Sequence, residues 1–424
     1  MSRTLTEKIL ARAAGRTDVG AGEEIRARPD FVLAYELRGY TDAFARDMVA
    51  EFGVDRVPGP GRFAVFIDHR VPAKTPEDAR LHDDTRAWCR AQDVALYDRE
   101  GIGHQVAAEA GYAVPGAFVV HFDGHVSQLG AFGALALGLR ANVLEAFVRE
   151  HVTLTIPESV RVELSGGLGP GVMARDVWHE LLRRLGPAFA AFQVVEFAGA
   201  GVEPLGLEGM QTITGLAMFA GAVSAIVPPT RAALAHAAGR ARATIPPAWS
   251  DADAAYAARY TLALDEVEPL VAAPPDPANV RPLREAVGVP VHAGYLGSCV
   301  SGRLEDLRVA ARVLAGRRVA PGFALHVVPT SRALMHAAAV EGLLATLVEA
   351  GAFVSSPSCD FCSGNIAAMA AGQRAVSTGT LNVPGRMGHP ASEIYLCNAA
   401  VVAASAVEGR IADPRPYLAE VARG

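Results

Sequence analysis

The chain has 424 residues, 51% hydrophobic and 20% charged, with Lys+Arg 39 against Asp+Glu 45 and a formal net charge of −6. That length exceeds one ordinary core, and the composition excludes a largely disordered chain, which needs low hydrophobicity and high charge. A mildly acidic balance also lacks the basic footprint that nucleic-acid binding requires.

The opening MSRTLTEKILARAAG is charged and amphipathic, without the apolar core of a secretory signal. GAFGALALGL and TGLAMFAGAVSAIV are too short or too interrupted by glycine for the roughly 20 residues of a membrane span. A cytoplasmic chain with no membrane association is expected. Along it, FAVFIDHRVP (63–72) predicts a strand that delivers Asp68 and His69 to its carboxyl end. DDTRAWCRAQDV (83–94) predicts a helix, and GAFVVHFDGHV (116–126) a buried strand followed by a loop. AFGALALGLRANVLEAFVREH (131–151) has helical periodicity and length. TLTIPESVRVELSGGLGPG is strand-like and glycine-rich, and VMARDVWHELLRRLG is helical. The proline-rich VAAPPDPANVRP (271–282) reads as a linker; VPVHAGYLGSCVSGR and the helix EDLRVAARVLAGR follow it. Such alternation predicts an α/β protein with parallel sheets and functional residues in loops beyond the strand ends.

Five cysteines, an odd and small number, favour reduced thiols and a metal or cluster site over a disulfide framework. Cys359-Asp360-Phe361-Cys362 is a C-x2-C pair followed by Ser363-Gly364, and Cys299 lies in Gly297-Ser298-Cys299. Two thiolates on one such loop can bind a single centre, and glycine lets the backbone approach it. A zinc site on these thiols stays open, although tetrahedral structural zinc normally takes four protein ligands and there is no second C-x2-C; three cysteines also suit an iron–sulfur cluster with one iron open to substrate. Cys89 and Cys397 lie in apolar helical surroundings and read as inert core thiols.

Asp68-His69, His104 and Asp123-Gly124-His125 place three histidines in loops, two of them beside carboxylates. An acidic partner fixes an imidazole tautomer and raises its basicity, as proton transfer requires. His121 lies on the opposite strand face and reads as structural, and Trp88 and Trp178 as helix packing residues. Ser165 to Gly171 is a glycine-rich turn without the Lys-Ser/Thr of a P-loop.

These residues carry a resemblance. GSCVSGRLEDLRVAARVL resembles the G-S-C-T-N-x-R segment of the aconitase superfamily, in particular the large subunits of 3-isopropylmalate dehydratase and homoaconitase. SPSCDFCSGN resembles its C-x-x-C-x-G segment, and NVPGRMGHPASEIYL its N-F-x-G-R-M-G segment. FIDHRVP, EGIGHQ, DGHVSQLGAFGALALGL and LEGMQTITGLAMFAGA follow in the family's order. The resemblance implies three α/β domains of aconitase type around a 4Fe–4S cluster, with spans 1–157 (histidine and aspartate loops), 158–275 and 276–424 (cluster cysteines). It implies Cys299, Cys359 and Cys362 as cluster ligands, and Asp68, His69, His104, Asp123 and His125 as active-site residues of a hydro-lyase or isomerase. A small hydroxy acid is the implied substrate. The resemblance also implies that the swivelling fourth domain is absent from this chain and that a small-subunit protein partner supplies it.

The departures matter equally. D-S-H-T becomes Asp123-Gly124-His125-Val126, and I-C-N-M-x-x-E becomes Ile213-Thr214-Gly215-Leu216-Ala217-Met218-Phe219. N-R-N-F becomes Thr380-Leu381-Asn382-Val383, and G-S-C-T-N becomes G-S-C-V-S. A substrate carboxylate buried without its arginine would cost several kcal/mol, so a less polar substrate is expected. Arg70, where the family usually has asparagine, is a candidate replacement cation, and Arg303 and Arg386 stay in register. A non-catalytic cluster-binding scaffold or regulatory subunit is the alternative reading.

Overall fold

The computed structural model describes residues 2–36, 41–139 and 143–421. The chain forms two compact units, one from residues 1–165 and 188–262, the other from 166–187 and 263–424. The helix Ala174–Leu185 therefore packs with the second unit.

In the first unit the strands Phe31–Tyr35, Phe63–Ile67, Ala95–Asp98, Phe118–His121 and Leu135–Gly138 make a five-stranded parallel sheet. Numbered in chain order, these strands lie side by side as third, second, first, fourth, fifth. That doubly wound order leaves a crevice where the chain reverses direction, between the carboxyl ends of Phe31–Tyr35 and Phe118–His121. Continuous apolar runs such as FAVFI are buried at every position, as a parallel strand covered on both faces requires. The core includes Phe63 and Phe147, with ring centroids 4.3 Å apart, each such side chain contributing about 1.5–3 kcal/mol by burial. Thr75 caps the helix Pro76–Gln92 by accepting from the Asp78 amide, and Asp78 reciprocates; Asp93 ends the helix at φ +59. The amphipathic opening is the helix Leu5–Ala13, started by a Thr4–Glu7 capping box. A four-stranded sheet (Ser159–Ser165, Val194–Ala198, Ser224–Ile226, Ala258–Ala263) lies mostly in the same unit.

The second unit is built on a seven-stranded sheet ordered Val280–Pro282, Leu270–Ala272, Glu393–Leu396, Arg374–Ser377, Ala293–Leu296, Ala324–Val327, Phe353–Val354. The five strands from Glu393–Leu396 onward pair in parallel. Among the described residues no single helix is long and apolar enough to cross a membrane; one pair bent by 85°, Arg332–Val340 with Leu343–Ala350, meets the length and composition together.

Two sequence expectations change. The stretch 131–151 is not one helix: Leu135–Gly138 is a buried strand, Val143–Arg149 is a helix, and residues 140–142 lie outside the described residues. A short apolar run carries no period that separates a buried strand from a helix. Residues 271–282 are no linker: Leu270–Ala272 pairs antiparallel with Val280–Pro282, and Pro274, Pro275 and Pro277 lie in the turn between them. Proline suits that turn because it fixes φ and cannot extend the ladder.

Candidate active site and cluster-ligand loop

The first-unit site is built at the sheet's crevice, where buried strands run out and polar side chains follow at once. Asp68 and His69 stand just past Phe63–Ile67, and Asp68 Oδ1 lies 2.6 Å from His69 Nδ1. Glu36, just past Phe31–Tyr35, accepts the Asp68 amide on Oε2 at 2.9 Å and the His69 amide on Oε1 at 2.7 Å. The Gly103 amide donates to Asp68 Oδ2 at 2.7 Å, joining this turn to the helix Gly103–Glu109, which carries His104. A Cβ at Gly103 would come within 2.9 Å of the Phe66 ring, so only glycine lets that helix start so close to the strand. His82 Nε2 contacts the His69 carbonyl at 3.1 Å. Glu36, Asp68 and His69 lie close enough to share a metal ion, but both Glu36 oxygens already bind the turn's main chain.

Asp123 caps the short 3-10 helix Gly124–Phe132 by accepting the His125 amide at 2.6 Å on Oδ1. His104 Nε2 lies 3.7 Å from the same oxygen, and Tyr35 donates its hydroxyl to Asp123 Oδ2 at 3.2 Å. Burial works to raise the Asp123 pKa, yet the nearby His104 and the other imidazoles around it outweigh burial and hold the carboxyl well below the usual range. His125 donates Nδ1–H to the Gly215 carbonyl at 2.9 Å, which fixes its tautomer. The Phe219 ring centroid lies 5.9 Å from that of His125.

All five residues singled out here from the sequence, Asp68, His69, His104, Asp123 and His125, thus fall in this unit around one crevice. Arg70 is half-buried beside them at φ +53, a left-handed backbone that asparagine tolerates and arginine strains. Sequence reasoning missed Tyr35 and Glu36, whose signal is a buried β run ending abruptly on polar residues. His121, which the sequence reads as structural, has a buried ring 4.8 Å from His104 and 5.0 Å from Tyr35, and its Nδ1 accepts the Asp123 amide at 2.7 Å.

In the second unit the cysteine loops follow parallel strands. Gly297-Ser298-Cys299 leaves Ala293–Leu296, and Cys359 and Cys362 come after Phe353–Val354. Cys299 Sγ and Cys359 Sγ lie 3.4 Å apart, and Arg386 donates Nη2 to Cys362 Sγ at 3.0 Å. Hydrogen bonds from Cys299 and Cys362 push the Cys359 thiol well above its ordinary pKa, with burial adding to them. Gly364 sits at φ +72, where a Cβ would come within 2.8 Å of the Met387 backbone, so glycine permits the close loop contact. Three converging sulfurs with an arginine donor form a soft-ligand set that fits an iron–sulfur cluster.

The third candidate arginine, Arg303, is buried and donates Nη2 to the Cys299 carbonyl at 3.2 Å. Arg175, unnoticed in the sequence, is buried and donates to the Thr378 carbonyl at 2.5 Å; Thr378 Oγ1 in turn accepts the Gly297 amide at 2.8 Å. Cys89 and Cys397 are buried, and burial raises each thiol to about 12, as inert core positions require. Trp178 is buried and Trp88 packs against the first unit's core.

Fold, crevice and cysteine loops together define a class: the chain belongs to the aconitase family (aconitate hydratase), whose pattern matches residues 55–290 and 284–409. Within that family it is 38% identical to the 3-isopropylmalate dehydratase large subunit 1 of Methanopyrus kandleri, over 99% of this chain and 100% of the relative. It is also 38% identical to the Aquifex aeolicus 3-isopropylmalate dehydratase large subunit, over 98% and 97% of the two chains. A probable methanogen homoaconitase large subunit from Methanothermobacter thermautotrophicus is 36% identical over 97% of each chain. The solved holo-form of Thermococcus kodakaraensis aconitase X covers 85% of both chains at 12% identity, with a TM-score of 0.49.

Proposed function

We propose that this chain is the large-subunit component of an iron–sulfur hydro-lyase or isomerase that dehydrates or hydrates a small hydroxy acid. The observation that carries the reading is the convergence of two imidazole–carboxylate pairs, Asp68–His69 and Asp123–His104, at one crevice. Cys299, Cys359 and Cys362 would hold a 4Fe–4S cluster, which when bound supplies a Lewis acid for a substrate hydroxyl. Asp68 beside Nδ1 makes Nε2 of His69 the more basic nitrogen, suited to taking a proton. Asp123, held below the usual carboxylate range, faces His104 Nε2 and orients that imidazole at the crevice. The Gly215 carbonyl assigns the Nδ1–H tautomer to His125, so its Nε2 is the nitrogen that exchanges a proton. Arg70, Arg303 and Arg386 are the proposed cations for the substrate carboxylate. The three-domain division at 1–157, 158–275 and 276–424 belongs to the same reading, supported by one multi-stranded sheet centred in each span. So does a small-subunit partner carrying the swivelling domain.

The substrate differs from isopropylmalate, aconitate and homoaconitate, with fewer carboxylates or a bulkier apolar part. Gly124, Phe219 and Leu381 replace a serine, a glutamate and an arginine of the family pattern, and the aromatic ring beside His125 supports an apolar neighbour for the substrate. The same ring favours the second reading, a cluster-binding scaffold, since it stands where the family places a carboxylate. Anaerobic reconstitution with iron and sulfide, followed by a hydroxy-acid library with and without the small subunit, separates the two. Turnover of acids bearing apolar substituents is expected; an intact cluster with the small subunit present and no turnover would leave the scaffold.

A further inference from the structure

We propose that Tyr35 and His121 are a positioning pair that fixes the Asp123 carboxylate toward His104. The inference rests on the proton-transfer reading above, and it concerns two residues that no motif contains.

The pair follows from the sheet. Phe31–Tyr35 and Phe118–His121 are adjacent parallel strands, with Leu33 opposite His121, and they flank the crevice. Both strands end there on a polar side chain although every residue within them is buried. Tyr35 holds the side chain of Asp123: its hydroxyl donates to Oδ2, leaving Oδ1 to His125 N and His104 Nε2. His121 holds the main chain: its Nδ1 accepts the Asp123 amide at 2.7 Å, which assigns the proton to Nε2. The two rings pack at 5.0 Å, and Tyr35 also packs against His69 at 4.8 Å. One tyrosine thus touches both imidazole–carboxylate pairs, and one histidine sits between Tyr35 and His104.

An acceptor for the Asp123 amide is an oxygen or nitrogen at the position of His121 Nδ1. Asparagine can supply it and leucine of similar volume cannot. Tyr35→Phe, His121→Leu and His121→Asn are compared in the reconstituted protein. For His121→Leu, a kcat loss of at least about tenfold with KM held within about twofold is expected, as for a group that orients a proton-transfer residue. Amide exchange at Asp123, followed by NMR on 15N-aspartate-labelled protein, should accelerate by about tenfold or more, since the amide loses its acceptor. His121→Asn should recover most of both losses. Tyr35→Phe should lower kcat by about tenfold while leaving that amide protected. Equal behaviour of the Asn and Leu variants in both readouts, or unchanged kcat in Tyr35→Phe, would overturn the pairing. If the parent turns over no hydroxy acid, the enzymatic reading fails, and the Asn-against-Leu exchange comparison alone decides the His121 contact. Should the Leu variant not fold, exchange in His121→Gln, whose oxygen reaches the Nε2 rather than the Nδ1 position, takes its place.

Discussion

Asp68 Oδ1 lies 2.6 Å from His69 Nδ1, and Asp68 is buried at 2% exposure. A buried carboxylate at that distance stabilises the imidazolium that forms when His69 takes a proton. Asp68→Asn keeps the shape but removes the charge and presents the wrong hydrogen-bond polarity. A kcat loss of about 10²–10⁴-fold is expected, by analogy with other acid–base pairs. Steady-state kinetics of the reconstituted protein check this, and a loss below about threefold would remove His69 from proton transfer.

Glu36 uses each oxygen for one main-chain amide of the Asp68-His69 turn. In Glu36→Gln the new NH2 faces one of those donors, so a buried amide goes unpaired. That costs about 1–3 kcal/mol, read as a lower denaturant midpoint. Unchanged stability would mean that the turn is held elsewhere.

The two groups of cysteines should separate cleanly. Replacing Cys299, Cys359 or Cys362 by serine removes the brown colour and broad visible absorbance of anaerobically reconstituted protein. Cys89→Ala and Cys397→Ala retain it, because both thiols are buried and raised to about 12. A colourless parent containing zinc would overturn the iron–sulfur assignment.

Asp176 sets a pH dependence in the second unit. Burial raises its pKa to about 6 from 3.8, against hydrogen bonds from the Met173 amide, Asn398 and the Leu270 amide. The folded state therefore binds this proton more tightly than the unfolded chain. The resulting stability is complete below about pH 4 and is lost as pH rises to about 6, a swing of about 3 kcal/mol. Asp176→Asn lacks that titration, so the parent's advantage over it should shrink across the same window in denaturant titrations. A pH-independent gap would refute the assignment.

Gly124 and Gly138 should respond oppositely to a side chain. A Cβ at Gly124 would meet only Met218 Cε at 3.6 Å and Sδ at 3.7 Å, whereas one at Gly138 would come within 2.7 Å of the Gly124 backbone. Gly124→Ser, which restores the family residue, should leave the midpoint within about 0.5 kcal/mol, as for a change without a clash. Gly138→Ala forces a backbone shift costing about 1–3 kcal/mol. Thermal unfolding of both variants is the check; a destabilised Gly124→Ser would mean that the space is not open.

Much of this architecture is written in local pattern. Buried β-branched runs such as FAVFI and FVLAY announce parallel strands, and a strand that breaks into Asp-His or Asp-Gly-His announces where chemistry is presented. Of the cysteines, only the Cys359-Asp360-Phe361-Cys362 pair is legible in local pattern; Cys299, 60 residues away, joins it through the family resemblance. The sequence by itself thus determined the α/β class, and its motifs together with the resemblance they carry singled out five polar residues and three cysteines as candidates.

Strand order and side-chain reach had to come from the tertiary structure. Only the reversal of the five-stranded sheet sets Tyr35 and His121 on adjacent strands, though 86 residues of chain direction separate them in sequence. Glu36 reads as an ordinary strand-end acid until its oxygens are seen on the Asp68 and His69 amides. LALG in 135–138 could be helix or strand until neighbouring strands complete its hydrogen bonds, and the proline-rich 271–282 became a hairpin because a sheet edge was there to receive it. Periodicity and motif are properties of neighbours in the chain; pairing order, tautomers and shared hydrogen bonds are properties of neighbours in space.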